Sequence, residues 1–514
     1  MSLGRNVTIS SAPMSLEELL ELAHGATCEL DASALAVIDD SRAVVDAVLA
    51  TGKPVYGLNT GLGHAKDTRL EPDAIRSFQV TMLRGHAGAI GPPLRKELVR
   101  AAMAARVNGM ARGGSGASRA CATTLVSMLN AGVHPVVPDF GSVGAGDLGQ
   151  MAAIALVAIG EGHAELKGDS VSGAVALERA GIKPIELQPK DALTLMSHNG
   201  VSIARGAAVV ARAKEALEAA DIAAALSLES ISGNTSIFDP VVAAAKGIRG
   251  QAEVSAHIRG LVEGSAALDP AAERTIQDPL SFRVVPQVHG ALWEFVELAG
   301  HAVETELNAI TDNPLVSRAE RRMVHNGNFH PMVLALSFDA IRPAIAHVGQ
   351  LCDRRLNHLW GATFANPRNL QGHPRGLSLR YAAAAASAEL RQLADPASLD
   401  IPPVDFGVED HATGAPLSVG ATESALDKLD DIVAVELLMA RDLLLAGEVA
   451  VGVGTRAVLD FLGGAAGQIP HTASAADLHA AVKRSLREGL LDAARGANRT
   501  LAWSGPSGLK RAPG

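Results

Sequence analysis

A chain of 514 residues that is 48 % hydrophobic but only 3 % aromatic can build a large core, chiefly from alanine, leucine and valine, which suits close-packed helices better than sheets. Its formal net charge of −10 leaves a nucleic-acid role without electrostatic support. Cys28, Cys121 and Cys352 are far apart and match no metal-ligand spacing, no apolar leader opens the chain, and no uninterrupted apolar run reaches membrane-spanning length, so a cytoplasmic protein with buried thiols is expected.

In chain order, residues 1–13 read as flexible. Ser15-Leu16-Glu17-Glu18 is a capping box that opens a short helix to about His24. A second helix over 39–51 is stopped by Gly52 and Pro54. Residues 55–68 are then a glycine-rich loop long enough to act as a lid. Helices are expected over 74–84 and 94–110, and a Gly/Ser turn over 112–118 leads into another helix ending near Leu129. His134-Pro135-Val136-Val137-Pro138 is extended, because each proline pushes its predecessor out of the helical region. It delivers the glycine-rich stretch Gly141-Ser142-Val143-Gly144-Ala145-Gly146-Asp147 to the start of a helix that runs to about Ile159. Strand-like pieces over 165–171 and 182–187 bracket a helix over 174–180.

Beyond about Gly200 the pattern is almost wholly helical. Leu292, Phe295, Val296, Ala299, Val303 and Leu307 form one stripe; Leu426, Leu429, Ile432, Val433, Leu437, Ala440 and Leu443 form another. Both read as core packing. The expected fold is mainly α: a smaller N-terminal α+β lobe over 1–200, with the lid and the central glycine-rich loop, followed by a long-helix bundle with C-terminal helices over 201–514. Residues 498–514 read as a disordered tail.

Several stretches besides the central loop carry chemistry-bearing residues. They are Tyr56-Gly57-Leu58-Asn59-Thr60-Gly61, Gln277-Asp278-Pro279-Leu280-Ser281-Phe282-Arg283, Thr311-Asp312-Asn313-Pro314, Gly327-Asn328-Phe329-His330 and Glu409-Asp410-His411. In this order and spacing they resemble the aromatic amino acid lyase family, which includes histidine and phenylalanine ammonia-lyases, from about Tyr56 to His411. The resemblance implies a long-helix fold of the ammonia-lyase type and a homotetramer whose active sites are shared among subunits.

There are two departures. The family's central stretch contains Ala-Ser-Gly, which cyclises and dehydrates to the electrophile methylidene-imidazolone; the serine supplies its exocyclic methylene. Here Ala145 is followed directly by Gly146 and Asp147, so ring closure would yield no electrophilic carbon, and no cofactor is expected. Leu280 stands where histidine ammonia-lyases usually have a tyrosine.

By resemblance, Tyr56 is a proton-transfer base, which needs its phenol lowered by positive charge or hydrogen bonds. Arg283 pairs with a substrate carboxylate, for which a guanidinium fork is suited. Asn199 hydrogen-bonds near the central loop. His86 and Glu409 point to a polar, histidine-like substrate side chain, with Asn313 and Phe329 in the same pocket. Asn313 and Asn328 either orient the central loop or serve as turn residues. Arg375, Arg380 and His373 lie where the family helix faces the pocket. His64 and Lys66, on the lid, are candidates to take over the function of the missing tyrosine, but a solvated face is the preferred reading.

These residues support a carbon–nitrogen lyase that removes an amine from a histidine-like amino acid or betaine. Without the electrophile, the leaving group must already be good, as trimethylamine is in the ergothionase branch of the family. The alternatives are an ordinary histidine ammonia-lyase, forming urocanate and ammonia, and a non-catalytic member that kept the fold. The partners expected are a small-molecule substrate and other copies of the chain, with no nucleic acid, membrane or metal.

Overall fold

The computed structural model describes residues 5–269, 276–371, 376–470 and 473–497. His373, Arg375 and the expected tail over 498–514 lie outside the described residues. Helices dominate, and the chain divides into two compact units. The first comprises Met1–Ala208, Gly300–Leu336 and Ala397–Gly420; the second comprises Val209–Ala299, Ser337–Pro396 and Ala421–Gly514. A single boundary near residue 200 therefore describes only the first crossing. Of the other four crossings, three fall inside the helices Val285–Asn308, Met332–Ala365 and Ala415–Gly447, where no glycine- or proline-rich linker marks them, and one lies at Pro396, in the loop after the helix Arg380–Leu393.

The first unit is α+β. Asn6–Ile9 pairs in parallel with Thr27–Leu30, so part of the supposedly flexible N-terminus is a strand whose Val7 and Ile9 are buried. The Ser15 capping box is present, and the helix over Leu16–Ala23 buries Leu16, Leu19 and Leu22. The second helix is longer than expected, Ala32–Ala50, because the Asp31 side chain accepts from the Ala34 N–H and caps it one turn and more upstream. His163–Leu166 and Asp169–Ser172 form a hairpin, and Val133–Pro135 adds to it as a third strand. Residues 182–187 form no strand, since no neighbour offers a ladder for them. The helix Lys96–Ala111 is buried from Leu98 to Ala111, which makes it the axis of this unit.

The second unit is helical. Leu426, Leu429, Ile432, Val433, Leu437 and Ala440 are all buried, as their spacing requires. On the other stripe Phe295 is exposed, while Leu292, Val296 and Ala299 are buried, as are Val303 and Leu307, which belong to the first unit. Buried polar groups tie long helices together: Glu436 accepts from Arg355 Nε at 2.6 Å and from Ser227 Oγ at 2.6 Å. Asp221 likewise takes His257 and His289 at 2.9 and 2.6 Å. All three cysteines are free and buried. One helix, Met332–Ala365, is long and apolar enough by composition to cross a membrane, but 61 % of that window is buried within the fold, and core packing accounts for its apolarity.

Candidate active site

The glycine-rich stretch is held from three sides. Asp147, fully buried at the start of the helix Leu148–Ala158, accepts from Ser142 Oγ at 2.7 Å, from the Ser202 N–H at 2.8 Å and from Ser202 Oγ at 3.0 Å. Burial raises its carboxyl above the ordinary carboxylate value against these bonds. Thr413 Oγ1 donates to the Gly144 carbonyl at 2.7 Å; a Cβ on Gly144, whose φ is +82°, would lie 2.3 Å from that hydroxyl, so only glycine fits. The Gly146 N–H donates to Asn199 Oδ1 at 2.9 Å, and Asn199 Nδ2 donates onward to Glu306 Oε1 at 2.7 Å and to the Phe329 carbonyl at 3.0 Å. Asn199 is thus a strut between the central loop and the 306–329 segment.

Glu306 escaped the sequence reading. Its signal was there: it lies on the same helical face as the buried Ala299, Ala302 and Val303, so a carboxylate was being turned inward. Burial, with help from Asp147, pushes its carboxyl up from 4.5 to about 7, while the Asn199 bond opposes. Because the folded value is raised, burial is free of cost below pH 4.5, costs progressively more up to about 7, and is fully penalised above that. The rise from 4.5 to about 7 corresponds to about 3 kcal/mol. Glu306→Gln keeps an acceptor for Asn199 and removes the charge. It is expected to be more stable than wild type at pH 8.5 by up to ~3 kcal/mol and indistinguishable below pH ~4.5. Urea unfolding across pH at fixed protein concentration checks this; parallel pH curves for the two proteins would contradict a buried, charge-penalised Glu306.

In front of this loop is a cleft of about 480 Å³ within the first unit. It gathers Tyr56, His86, Ala145, Asn313, Phe329 and Glu409 from the residues singled out from sequence, with His64 of the lid. Gly146, Asp147 and Asn199 brace Ala145 from behind. Arg283 belongs to the second unit, on the short helix Leu280–Arg283, where its guanidinium bonds the Gln277 side chain. A second cleft in the first unit, of about 770 Å³, is larger but holds none of these, and its Arg42 and Arg76 are already engaged by Asp46 and Gln188.

The expected lowering of Tyr56 is not found within the chain. Burial raises the phenol, the Glu409 and Asp405 carboxylates raise it further, and only the Gly63 N–H, 3.2 Å from Oη, works the other way. The phenol therefore carries its proton at neutral pH. Burial and Asp405 likewise raise Glu409, while His86 lowers it. His86 ends the helix Ala74–His86; its Nδ1 lies 2.8 Å from the Met82 carbonyl, which can only accept, so Nδ1 is assigned the proton and Nε2 keeps its lone pair in the neutral ring.

Both lid residues are solvated: Lys66 pairs with Asp67 at 3.0 Å, and His64, its side chain 62 % exposed, stands at the rim of the cleft and is bonded to Asp405, a residue the sequence did not flag. Asn313 Oδ1 accepts from the Asn326 N–H at 3.0 Å, and Asn328 bonds Asn326 and the Ile310 carbonyl. Both asparagines build their own turn, and Asn313 also faces the cleft. Arg380, in the second unit, pairs with Asp353 at 2.8 Å.

The tripeptide Ala145-Gly146-Asp147 does not fit the family's electrophile. None of its side chains has a β-hydroxyl to lose as water, the Gly146 N–H is engaged by Asn199, and the Asp147 carboxylate is tied by three donors. What the cleft does offer is two carboxylates, two imidazoles and a phenol, and no Lys or Arg among the described residues lining it. That set can move protons and attract a cation.

The aromatic amino acid lyase profile matches residues 14–462. The histidine ammonia-lyase of Alkaliphilus metalliredigens is 33 % identical over 470 residues, covering 89 % of this chain and 92 % of that one. The histidine ammonia-lyase of Stigmatella aurantiaca is 35 % identical over 506 residues, covering 96 % and 99 %. Among solved structures, ergothionase from Treponema denticola, in complex with desmethyl-ergothioneine sulfonic acid, superposes with a TM-score of 0.90 at 26 % identity over 95 % of this chain and 99 % of that one.

Proposed function

The chain belongs to the aromatic amino acid lyase family and is a lyase, and from that premise we propose that it eliminates a tertiary amine from a histidine-like betaine without a methylidene-imidazolone. The observation that carries this reading is a carboxylate-bearing cleft closed by an Ala145-Gly146-Asp147 loop that has no hydroxyl from which to make the electrophile. A primary ammonium beside a base loses its own N–H proton and becomes a poor leaving group. A quaternary nitrogen has no proton to lose, stays cationic, and departs as a neutral amine.

Glu409 supplies the counter-charge for that cation, half-buried and therefore less screened than at an open surface. His86 presents Nε2 to the N–H edge of an imidazole-type ring. Phe329 and Leu193 give the ring apolar walls, and Tyr56 is a neutral hydrogen-bond donor. Among the described residues the cleft's lining has no Lys or Arg for the substrate carboxylate, and in the proposed homotetramer Arg283 reaches it from a neighbouring subunit. Three buried free cysteines suit work in a reducing cytoplasm.

The activity of the relatives, histidine ammonia-lyase, would require an electrophile that the loop's side chains cannot form. Mass spectrometry of a peptide spanning Gly141 to Gln150 is expected to return the unmodified mass, and the purified protein to release trimethylamine from histidine betaine but no ammonia from L-histidine. A peptide lighter by one water, with ammonia released from histidine, would overturn the proposal in favour of the ammonia-lyase.

A further inference from the structure

What Tyr56 can do in the cleft depends on where its oxygen points. The turn over 55–59 that carries it is pinned by Asn59, which accepts from the Val55 N–H at 2.7 Å and donates to the Lys53 carbonyl at 2.9 Å. Those bonds fix the backbone but not the ring. Among the described residues, the phenol oxygen has one hydrogen-bond partner, the Gly63 N–H at 3.2 Å. Gly63 belongs to a small turn that the lid closes on itself. The Ala65 N–H donates to the Leu62 carbonyl at 2.9 Å, the Lys66 N–H to the Gly63 carbonyl at 3.0 Å, and the Gly61 N–H to the Thr68 carbonyl at 2.9 Å. Among the described residues, one group outside the lid bonds residues 61–68, and it is the Asp405 carboxylate. Its Oδ2 accepts from the His64 N–H at 2.8 Å, and its Oδ1 lies 2.6 Å from His64 Nδ1.

The backbone on both sides is shaped to this contact. Gly63 has a φ of +53°, and a Cβ there would sit 2.0 Å from Asp405 Oδ2, so the carboxylate approaches only because the residue is glycine. Opposite, Asp405 and Phe406 hold left-handed φ values of 50° and 54°, followed by Gly407 at 80°, in a tight loop closed by the Val404 N–H donating to the Glu409 carbonyl at 3.0 Å. Non-glycine residues persist in that conformation only when their surroundings over-determine it, and such sites cluster where function needs them. The chain therefore runs from a strained loop, through one carboxylate, to the glycine that meets the phenol.

We propose that Asp405 is the positioning residue of Tyr56: by anchoring the turn at Gly63 and His64 it aims the Gly63 N–H at the phenol oxygen. That N–H takes up a lone pair and leaves the O–H free to turn toward the substrate; on a phenolate the same N–H would steady the charge. The inference rests on the elimination proposed above and adds to it a residue that acts through Tyr56, whichever proton state of the phenol is used. His64 enters as a rung of the anchor, through its backbone N–H and Nδ1, and its exposed edge has no part in the chemistry.

Two other roles for Asp405 leave different marks. A latch that only shuts the lid matters whether or not the phenol is present, and a second counter-charge for the substrate cation is lost equally in Asn and Ala variants. With histidine betaine as substrate, Asp405→Ala is expected to lose about tenfold to a hundredfold in kcat, with KM within about threefold of wild type. Asp405→Asn is expected to stay within about threefold of wild-type kcat, because its amide can accept from the His64 N–H and donate to Nδ1 of the other tautomer. In a Tyr56→Phe background, Asp405→Ala should cost less than about twofold more, since the oxygen it positions is gone. Unfolding midpoints of the variants control for folding. A full-sized loss in both backgrounds makes Asp405 a latch, a KM raised alike in the Asn and Ala variants makes it a counter-charge, and an Asp405→Ala enzyme with wild-type kcat gives it no role. Each overturns the positioning and leaves the elimination intact. A wild type that releases ammonia from L-histidine and no amine from the betaine overturns the elimination, and the same cycle read on ammonia still judges Asp405. A wild type that releases neither overturns both.

Discussion

Asp312→Ala should cost the fold about 3–5 kcal/mol, the penalty of removing one partner from a buried ion pair. Arg106 is fully buried and donates through Nη2 to both Asp312 oxygens, at 2.9 and 3.1 Å. Lys190 is buried as well, with Nζ 4.0 Å from the same carboxylate. Burial has already brought this lysine down from 10.5 to about 8, with Asp312 foremost among the groups holding it up. Without Asp312, two cations share a dry site with one carboxylate fewer. Part of the cost is relieved at high pH, where Lys190 gives up its proton; Arg106 cannot follow, because a guanidinium stays charged throughout. The deficit measured by urea unfolding at pH 7 should therefore narrow at pH 9 without closing. A deficit below about 1 kcal/mol at pH 7 would mean that the pair is replaceable by water and that the Thr311-Asp312-Asn313-Pro314 segment is held by other contacts.

That segment also illustrates what the sequence made legible. The composition and the 3.6-residue stripes specified a helical protein, because a helix must turn one apolar face inward and Leu426 through Leu443 can do so in only one way. The ordered motifs specified the cleft, and Tyr56, His86, Ala145, Asn313, Phe329 and Glu409 do converge although they come from segments up to 353 residues apart, the separation of Tyr56 and Glu409 (409 − 56). Two kinds of feature were not legible. A chain that crosses between units as continuous helix, as it does within Gly200–Ser230, Val285–Asn308, Met332–Ala365 and Ala415–Gly447, leaves no compositional mark of the crossing. Pairings made by tertiary contact leave none either. His64 and Asp405 are 341 residues apart, and nothing local distinguishes His64 from Lys66, which is solvated as His64 is but pairs with its chain neighbour. The inward face of Glu306 was readable in principle, since its spacing from Ala302 and Val303 is helical; a charged residue on an apolar stripe is the signal to look for.

Tyr56→Phe is expected to lower kcat for betaine elimination by about 10² or more while leaving KM nearly unchanged. The substitution removes one oxygen, whose bond within the protein is the 3.2 Å contact from the Gly63 N–H, so the stability change should stay near 1 kcal/mol. The pH dependence of the wild-type enzyme then tells which proton state of the phenol is used. Burial and the Glu409 and Asp405 carboxylates raise the phenol above its ordinary value of 10, and His64 and His86 are the other titratable groups in the cleft. If Tyr56 acts as a neutral donor, kcat should hold level through pH 9 and fall only as the phenol ionises above about 10. A phenolate base would give the opposite slope, with kcat climbing tenfold per pH unit across the same range, because each unit exposes ten times more of the reactive form. A climbing profile that Tyr56→Phe abolishes would make the phenolate the base of the reaction. A level profile leaves the phenol as a neutral group that gives a hydrogen bond to the substrate, because its charge then changes only outside the working range.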